Sequence, residues 1–306
     1  KVNHHMLHIT LMERHLPVAI LQLLEIWLDI CCSCVKWSSS YSSLFNVNFG
    51  VRQGSVLSPL LFAVYIDDVS ACSSLLDNNF ILLYADDILL IAPSVCALQN
   101  LLLKCEKVLS SLDMNINYKK SSCLRIGNRY KTTCSSIVTS SGHSLDWCEE
   151  IRYLGMFIVS GLKFKCSLGN AKRSFYRAAN AVLGKTLGIA PENVIVHLLQ
   201  VKCMPILLYC LECVNPTMSD LKSLDFVVNR FLMKLFKTSN LDIIEHVRNN
   251  FYLELPSEIF GYRVAKYARQ CEKFRPTLLH WLYNVQINVC LYMYYQSLKL
   301  YYLLHL

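Results

Sequence analysis

Two adjacent carboxylates, Asp86 and Asp87, stand between the apolar runs Phe80-Ile81-Leu82-Leu83 and Ile88-Leu89-Leu90-Ile91. Runs this short around a polar break predict a β-hairpin with Tyr84-Ala85-Asp86-Asp87 at its tip. Apolar strands anchor such a tip against a core and hold the two acids together despite their repulsion. Like charges fixed side by side favour a bound divalent cation, and hard oxygen ligands select magnesium or manganese. That donor set suits phosphoryl transfer, in which one ion activates an attacking hydroxyl and a second stabilises the leaving oxygen. The alternative is an ordinary Asp-Asp turn. Tyr65-Ile66-Asp67-Asp68 has the same form and serves as a control, because it ends a helical pattern and its acids read as structural.

Other reactive residue types are better explained by packing. Cys31, Cys32 and Cys34 close an apolar helix with no fourth ligand nearby. His197, Cys203, Cys210 and Cys213 alternate with leucines at helical spacing, which favours a core role over zinc. His4, His5 and His8 lack the glutamate of a metalloprotease helix. The chain has 15 cysteines, odd in number and unevenly spaced, and these are expected to be reduced thiols of an intracellular protein.

The elements that position the acid pair follow from period and punctuation. Phe45, Val47, Phe49 and Val51 alternate with polar or small residues, the pattern of a half-buried strand, before Arg52-Gln53-Gly54-Ser55 breaks it. Ser58-Pro59 reads as an N-cap followed by proline at the first helical position, with the helix ending near Asp67-Asp68. After the hairpin, Ser94 opens a helix with Leu98, Leu101, Leu102, Cys105, Val108, Leu109 and Leu112 on one face. Short strands are expected around Cys123–Ile126, Ile137–Thr139 and Ile151–Val159. From Ser167 the pattern is helical, with breaks near Pro191, Asn215-Pro216 and Pro256. The fold class is therefore α+β followed by an all-α region, divided near residue 160.

With 54% hydrophobic residues in 306, the chain can bury a large core, which excludes a disordered protein. Its net charge of +8 permits an acidic partner without requiring one. Leu16 to Val35 is long enough to span a bilayer, but Gln22, Glu25 and Asp29 form one polar stripe, so an amphipathic helix packed on protein is expected, not a membrane span. The first residue is Lys1, so the chain is expected to be a piece of a longer one.

Gly50-Val51-Arg52-Gln53-Gly54-Ser55-Val56-Leu57-Ser58-Pro59-Leu60-Leu61-Phe62 followed by Tyr84-Ala85-Asp86-Asp87 closely resembles the reverse transcriptases of non-LTR (LINE-type) retrotransposons. Asn117-Tyr118-Lys119-Lys120-Ser121 is similar to a palm segment of this family, and Tyr153-Leu154-Gly155 to its primer-grip turn. Cys203-Met204-Pro205-Ile206-Leu207-Leu208-Tyr209 with Glu212 is similar to its thumb-side region. The resemblance implies a partial palm with antiparallel sheet and packed helices over 1–160. A helical thumb or connection follows over 161–260, and a helical tail of uncertain origin over 261–306. It also implies RNA-templated DNA synthesis with an RNA template, a DNA primer, deoxynucleoside triphosphates and Mg²⁺ or Mn²⁺. Asp86 would be the metal ligand and Asp87 its neighbour, with Tyr84 and Ala85 near the primer end. Arg52 and Gln53 would contact template or nucleotide, and Gly54 would allow close backbone approach. Lys120 would sit near the triphosphate, where a cation assists the departing pyrophosphate; a surface lysine is the alternative.

The family's palm needs a further aspartate on a strand shortly upstream of a block that here is Lys1-Val2-Asn3-His4. That strand and the fingers are expected to precede Lys1, so the chain as given is expected to polymerise DNA at most at a trace level. The alternatives are a non-catalytic nucleic-acid-binding remnant and a pseudogene product. Nucleic-acid binding has separate support: Arg152, Lys163, Lys165, Lys172, Arg173, Arg177 and Lys185 fall within 151–190 with no acid among them, and Phe164, Phe175 and Tyr176 are interleaved. A solvated helix face is the bland alternative. A polynucleotide substrate would place the chain in the nucleus or cytoplasm; its oligomeric state is not legible.

Overall fold

The computed structural model describes residues 2–74, 76–214 and 216–270, together with the backbone of the last helix to Lys273 and of residues 301–305. The chain divides into two compact units, residues 1–149 with 299–306, and residues 150–298.

The first unit opens with α1 (His4–Glu13) and α2 (Val18–Asp29). Asn3 caps α1 by accepting from the His5 and Met6 amides. In α2, Leu21, Leu24 and Leu28 are buried while Gln22, Glu25 and Asp29 are exposed, the amphipathic division that the sequence predicts. No described helix is long and apolar enough to cross a membrane. Four two-residue strands follow: β1 (Cys32–Ser33), β2 (Lys36–Trp37), β3 (Ser40–Tyr41) and β4 (Phe45–Asn46), with β1 paired to β4 and β2 to β3. The half-buried strand expected over Phe45–Val51 is therefore mostly loop. Phe45 and Phe49 remain 49% and 50% exposed, so the alternation has no packed face to sustain it.

The helix after the glycine arm is α3 (Ser58–Ile66), and its cap differs from expectation. Leu57 holds the cap position, and the Ser58 hydroxyl instead donates to the Arg52 carbonyl at 2.6 Å, tying the arm to the helix start. Buried Tyr65 donates to the Leu112 carbonyl and accepts from the Asn3 amide at 3.4 Å. The control acids Asp67 and Asp68 both pair with Arg14, at 2.8 and 2.9 Å, on a half-exposed surface; their role is structural, as expected.

Then come β5 (Phe80–Tyr84), β6 (Asp87–Ala92), α4 (Val95–Ser111), β7 (Ser122–Ile126), β8 (Ile137–Val138) and β9 (Ser144–Trp147). Ser94 caps α4 through the Ala97 amide at 3.1 Å, a contact worth ~1 kcal/mol. Leu98, Leu101, Leu102, Cys105 and Leu109 of α4 pack on Ile81, Ile88, Leu90 and Ala92 of the hairpin. Burial pushes the Cys123 thiol up to about 12, and Cys105 is raised by the same cause, so these thiols are inert core fillers.

The second unit holds β10 (Glu150–Tyr153), β11 (Met156–Val159) and β12 (Lys165–Cys166), an antiparallel sheet, followed by α5 (Gly169–Thr186), α6 (Glu192–Leu198), α7 (Met204–Leu207), α8 (Met218–Leu235), α9 (Leu241–Asn250) and α10 (Pro256–Lys273). A π-helical stretch, Leu199–Cys203, joins α6 to α7. Helices start just after Pro191 and Pro216 and at Pro256 itself, because proline pre-sets helical φ at a first turn but cannot continue a ladder. Cys203 is buried in the helical core, in keeping with a packing role.

One element runs against expectation. Residues Tyr301–His305, expected to be helical, form strand β13 in the sheet of the first unit. The sheet order is β5-β6-β13-β7-β9-β8, with β13 antiparallel to both of its neighbours. The parallel strands β6 and β7, linked through α4, thus lie one strand apart, and β13 fills the interval.

Candidate active site at the acidic hairpin turn

Tyr84 pairs with Asp87 across the β5–β6 hairpin, leaving Ala85 and Asp86 as a two-residue turn. Ala85 takes φ 51°, a conformation that costs an L-residue about 1–2 kcal/mol and that hairpin turns normally give to Gly or Asn. The rigid strands enforce it. Asp86 is exposed and Asp87 half-buried, and Asp87 starts β6 on the face opposite Ile88 and Leu90, hence opposite the α4 core. Tyr84, 61% exposed, shares that face.

Lys120 comes to the same end of the sheet. His305 of β13 is in register with both Leu89 of β6 and Ser122 of β7. Leu89 and Ser122 are thus level, and β6 and β7 both start at this end of the sheet. Lys120 is exposed at the tip of a turn whose amides bond to the Asn117 carbonyl at 2.9 and 3.0 Å. Tyr84, Ala85, Asp86 and Asp87 thus share one hairpin turn, and the turn that holds Lys120 leads into β7 at the same end of the sheet.

Arg52 and Gln53 line a different feature. They border a cavity of ≈ 380 Å³ with Trp27, Cys31, Cys32 and Gly50 among its walls. The Arg52 guanidinium donates to the Cys31 sulfur at 3.1 Å and lies 5.7 Å from the Trp27 ring. Nothing in the residue spacing announced those partners. Gly54 has φ +82° and open space where a Cβ would be, so here the turn's conformation, not crowding, calls for glycine.

The donor set at the turn, two adjacent carboxylates with Asp86 exposed, suits a hard divalent cation whose remaining positions are filled by water or phosphate oxygens. Among the described residues no group of three His, Cys, Asp or Glu side chains is assembled for metal binding.

Residues 1–158 match the sequence profile of the reverse transcriptase (RNA-dependent DNA polymerase) family. The chain belongs to this family. It is also similar to the RNA-directed DNA polymerase from mobile element jockey of Drosophila funebris, a LINE-type element, with 29% identity over 144 residues. That match spans 44% of this chain and 16% of the relative.

The match runs to residue 158, within β11, so it takes in the turn between β10 and β11. Leu154 and Gly155 have φ 47° and 81°, the left-handed pair of a two-residue hairpin turn. The Tyr209 hydroxyl donates to the Leu154 carbonyl at 3.1 Å, and a Cβ on Gly155 would lie 3.2 Å from Tyr209 Cε1. Tyr209 therefore braces this turn, a role that residue type alone did not reveal. Gly155→Ala is expected to destabilise the protein by about 1–2 kcal/mol, through left-handed strain plus crowding of the ring. An unchanged urea midpoint would show that the turn does not need glycine.

The basic stretch beyond the profile is placed as follows. Lys163, Lys165, Arg173 and Arg177 are exposed; Lys172 donates to Ser223 of α8, and Arg173 to Asn170. Two carboxylates of this unit are held as anions by their neighbours. Burial pushes Asp220 up, but its bonds to Thr217, helped by Lys165 and Lys172, hold it below its ordinary value. Burial likewise raises Glu212, and the Arg263 guanidinium, bound at 2.8 and 3.1 Å, brings it lower overall.

Proposed function

We propose that this chain carries the acidic turn of an RNA-directed DNA polymerase of a LINE-type element, acting on an RNA template, a DNA primer and deoxynucleoside triphosphates. What supports the reading is the acid pair Asp86-Asp87 at the turn of a hairpin whose other face packs on α4, at the sheet end where the turn holding Lys120 leads into β7. Asp86 and Asp87 would hold Mg²⁺ or Mn²⁺, which supplies Lewis-acid activation of a primer hydroxyl and neutralises charge on the departing pyrophosphate. Lys120 contributes a fixed cation on the phosphate side. Tyr84 and Ala85 face the primer end, while the Leu154–Gly155 turn positions the primer strand. Arg52, Gln53 and Gly54 line the approach of template or nucleotide. Lys163, Lys165, Lys172, Arg173 and Arg177 lie along the polynucleotide backbone.

Two-metal transfer calls for a bridging carboxylate beyond this pair. The described residues do not supply it, and the proposal is that the chain alone extends a primer only at a trace level. Primer extension on poly(rA)/oligo(dT) with Mn²⁺ tests this: trace product, lost in Asp87→Asn, is the expected outcome. Robust synthesis overturns the trace-activity reading, and product that survives Asp87→Asn overturns the assignment of the acid pair.

A further inference from the structure

Helices α5 and α8 run parallel, cross-linked twice by their own basic residues: Lys172 of α5 donates to Ser223 of α8, and Lys234 of α8 donates to Asn180 of α5 at 3.1 Å. Between the two cross-links lies an open trough of ≈ 760 Å³, walled by Tyr176, Ala179 and Asn180 on one side and Arg230, Phe231, Met233 and Lys234 on the other. Among the described residues no acid lines it. Arg230 and Lys234 stand one helical turn apart and are exposed, and Arg230 makes no ion pair among the described residues. Phe226, one turn before Arg230, is 53% exposed, a large aromatic surface beside the cations. Arg173 and Arg177 lie along the outer flank of α5, next to the wall formed by Tyr176 and Asn180.

We infer that this trough is a binding site for single-stranded polynucleotide, with Arg230 and Lys234 holding consecutive phosphates and the rings of Tyr176 and Phe226 receiving bases. The inference rests on the reading of Arg173 and Arg177 as backbone contacts and adds the α8 wall to it. Charge complementarity selects a polyanion. An exposed ring, Phe226, and a half-buried one, Tyr176, beside the cations select an unpaired strand, because only unstacked bases offer their faces, whereas a duplex engages the cations and leaves the rings idle. A groove of one sign with aromatic platforms binds with little sequence preference and with steep salt dependence.

The test is fluorescence anisotropy on the full chain with a short labelled RNA, the same sequence as single-stranded DNA, and the matching RNA·DNA duplex, at about 50 and about 200 mM salt. Arg230→Gln with Lys234→Gln is expected to weaken single-strand binding about tenfold at low salt and to lower the log–log salt slope by about 1.4, since each phosphate contact on a single strand accounts for about 0.7. Tyr176→Leu, which keeps an apolar body against the core, is expected to cost about tenfold without changing the slope. Arg230→Gln alone removes an exposed, unbonded side chain, so its effect is free of any loss of the Lys234–Asn180 cross-link. Unchanged affinity and slope in the α8 variants, with a loss in Arg173→Glu/Arg177→Glu, overturns the trough and leaves the α5 reading standing. No effect from either pair overturns both. Tighter binding of the duplex, sensitive to the same α8 variants, overturns the single-strand assignment. RNA and single-stranded DNA bound alike supports a site that reads backbone and stacking; a strong preference for either overturns that mode of recognition.

Discussion

Asp86→Asn together with Asp87→Asn abolishes Mn²⁺ binding by the chain, and each substitution alone weakens it at least about tenfold. The wild-type affinity should be weak, with a dissociation constant on the order of 0.1–1 mM, as for cation sites with few charged ligands. The expectation follows from geometry. The two acids are consecutive, one in the turn and one at the first strand position, on strands whose other face is fixed by α4. The internal control sharpens the test. Asp67→Asn with Asp68→Asn should leave Mn²⁺ binding unchanged, because those carboxylates already pair with Arg14. Electron paramagnetic resonance of free Mn²⁺ during titration measures both. Equal loss from the two acid pairs, or none from the first, removes the metal-site reading of the hairpin turn.

Deleting residues 299–306 is expected to destabilise the first unit by on the order of 5 kcal/mol. Strand β13 is paired on both sides, Tyr302–His305 with β6 and Tyr301–His305 with β7, so its removal strips ladder bonds from two neighbours at once. At ~1 kcal/mol net per bond, and more where a buried amide loses its partner, the sum reaches that size. Helix α4 also lies against β13, so the deletion removes part of the surface on which the helix rests. Urea denaturation followed by circular dichroism reads the effect. An unchanged midpoint would falsify the placement of β13 within the sheet. The prediction concerns the site as well, because β13 sets the register between the strand that starts at Asp87 and the strand that follows the Lys120 turn.

The acid hairpin was legible because it is local. Two apolar runs separated by four residues can hardly do anything else, and the cap at Ser94 with the leucine face of α4 follows from helical period alone. The same holds for the starts of α6, α8 and α10, where proline punctuates the chain. Ser58 shows the limit of local reasoning. A serine before a proline has the form of a cap, yet its hydroxyl went to the Arg52 carbonyl because the glycine arm folds back over the helix start. The alternation of Phe45 to Val51 misled for a related reason: period two yields a long strand only where a packed face receives it.

Residue types, their order and their spacing were enough to establish the mixed fold class and the family, and to single out the two carboxylates of the hairpin turn, since short-range sterics and hydrophobic period act within a dozen residues. Folding in three dimensions settled the rest. It seated the last strand between β6 and β7, about 180 residues or more from either partner, turned Arg52 toward Cys31 and Trp27, and set Tyr209 against the Leu154–Gly155 turn. Contacts between distant segments depend on which loops close and which surfaces compete for them, and no local period or propensity encodes that outcome.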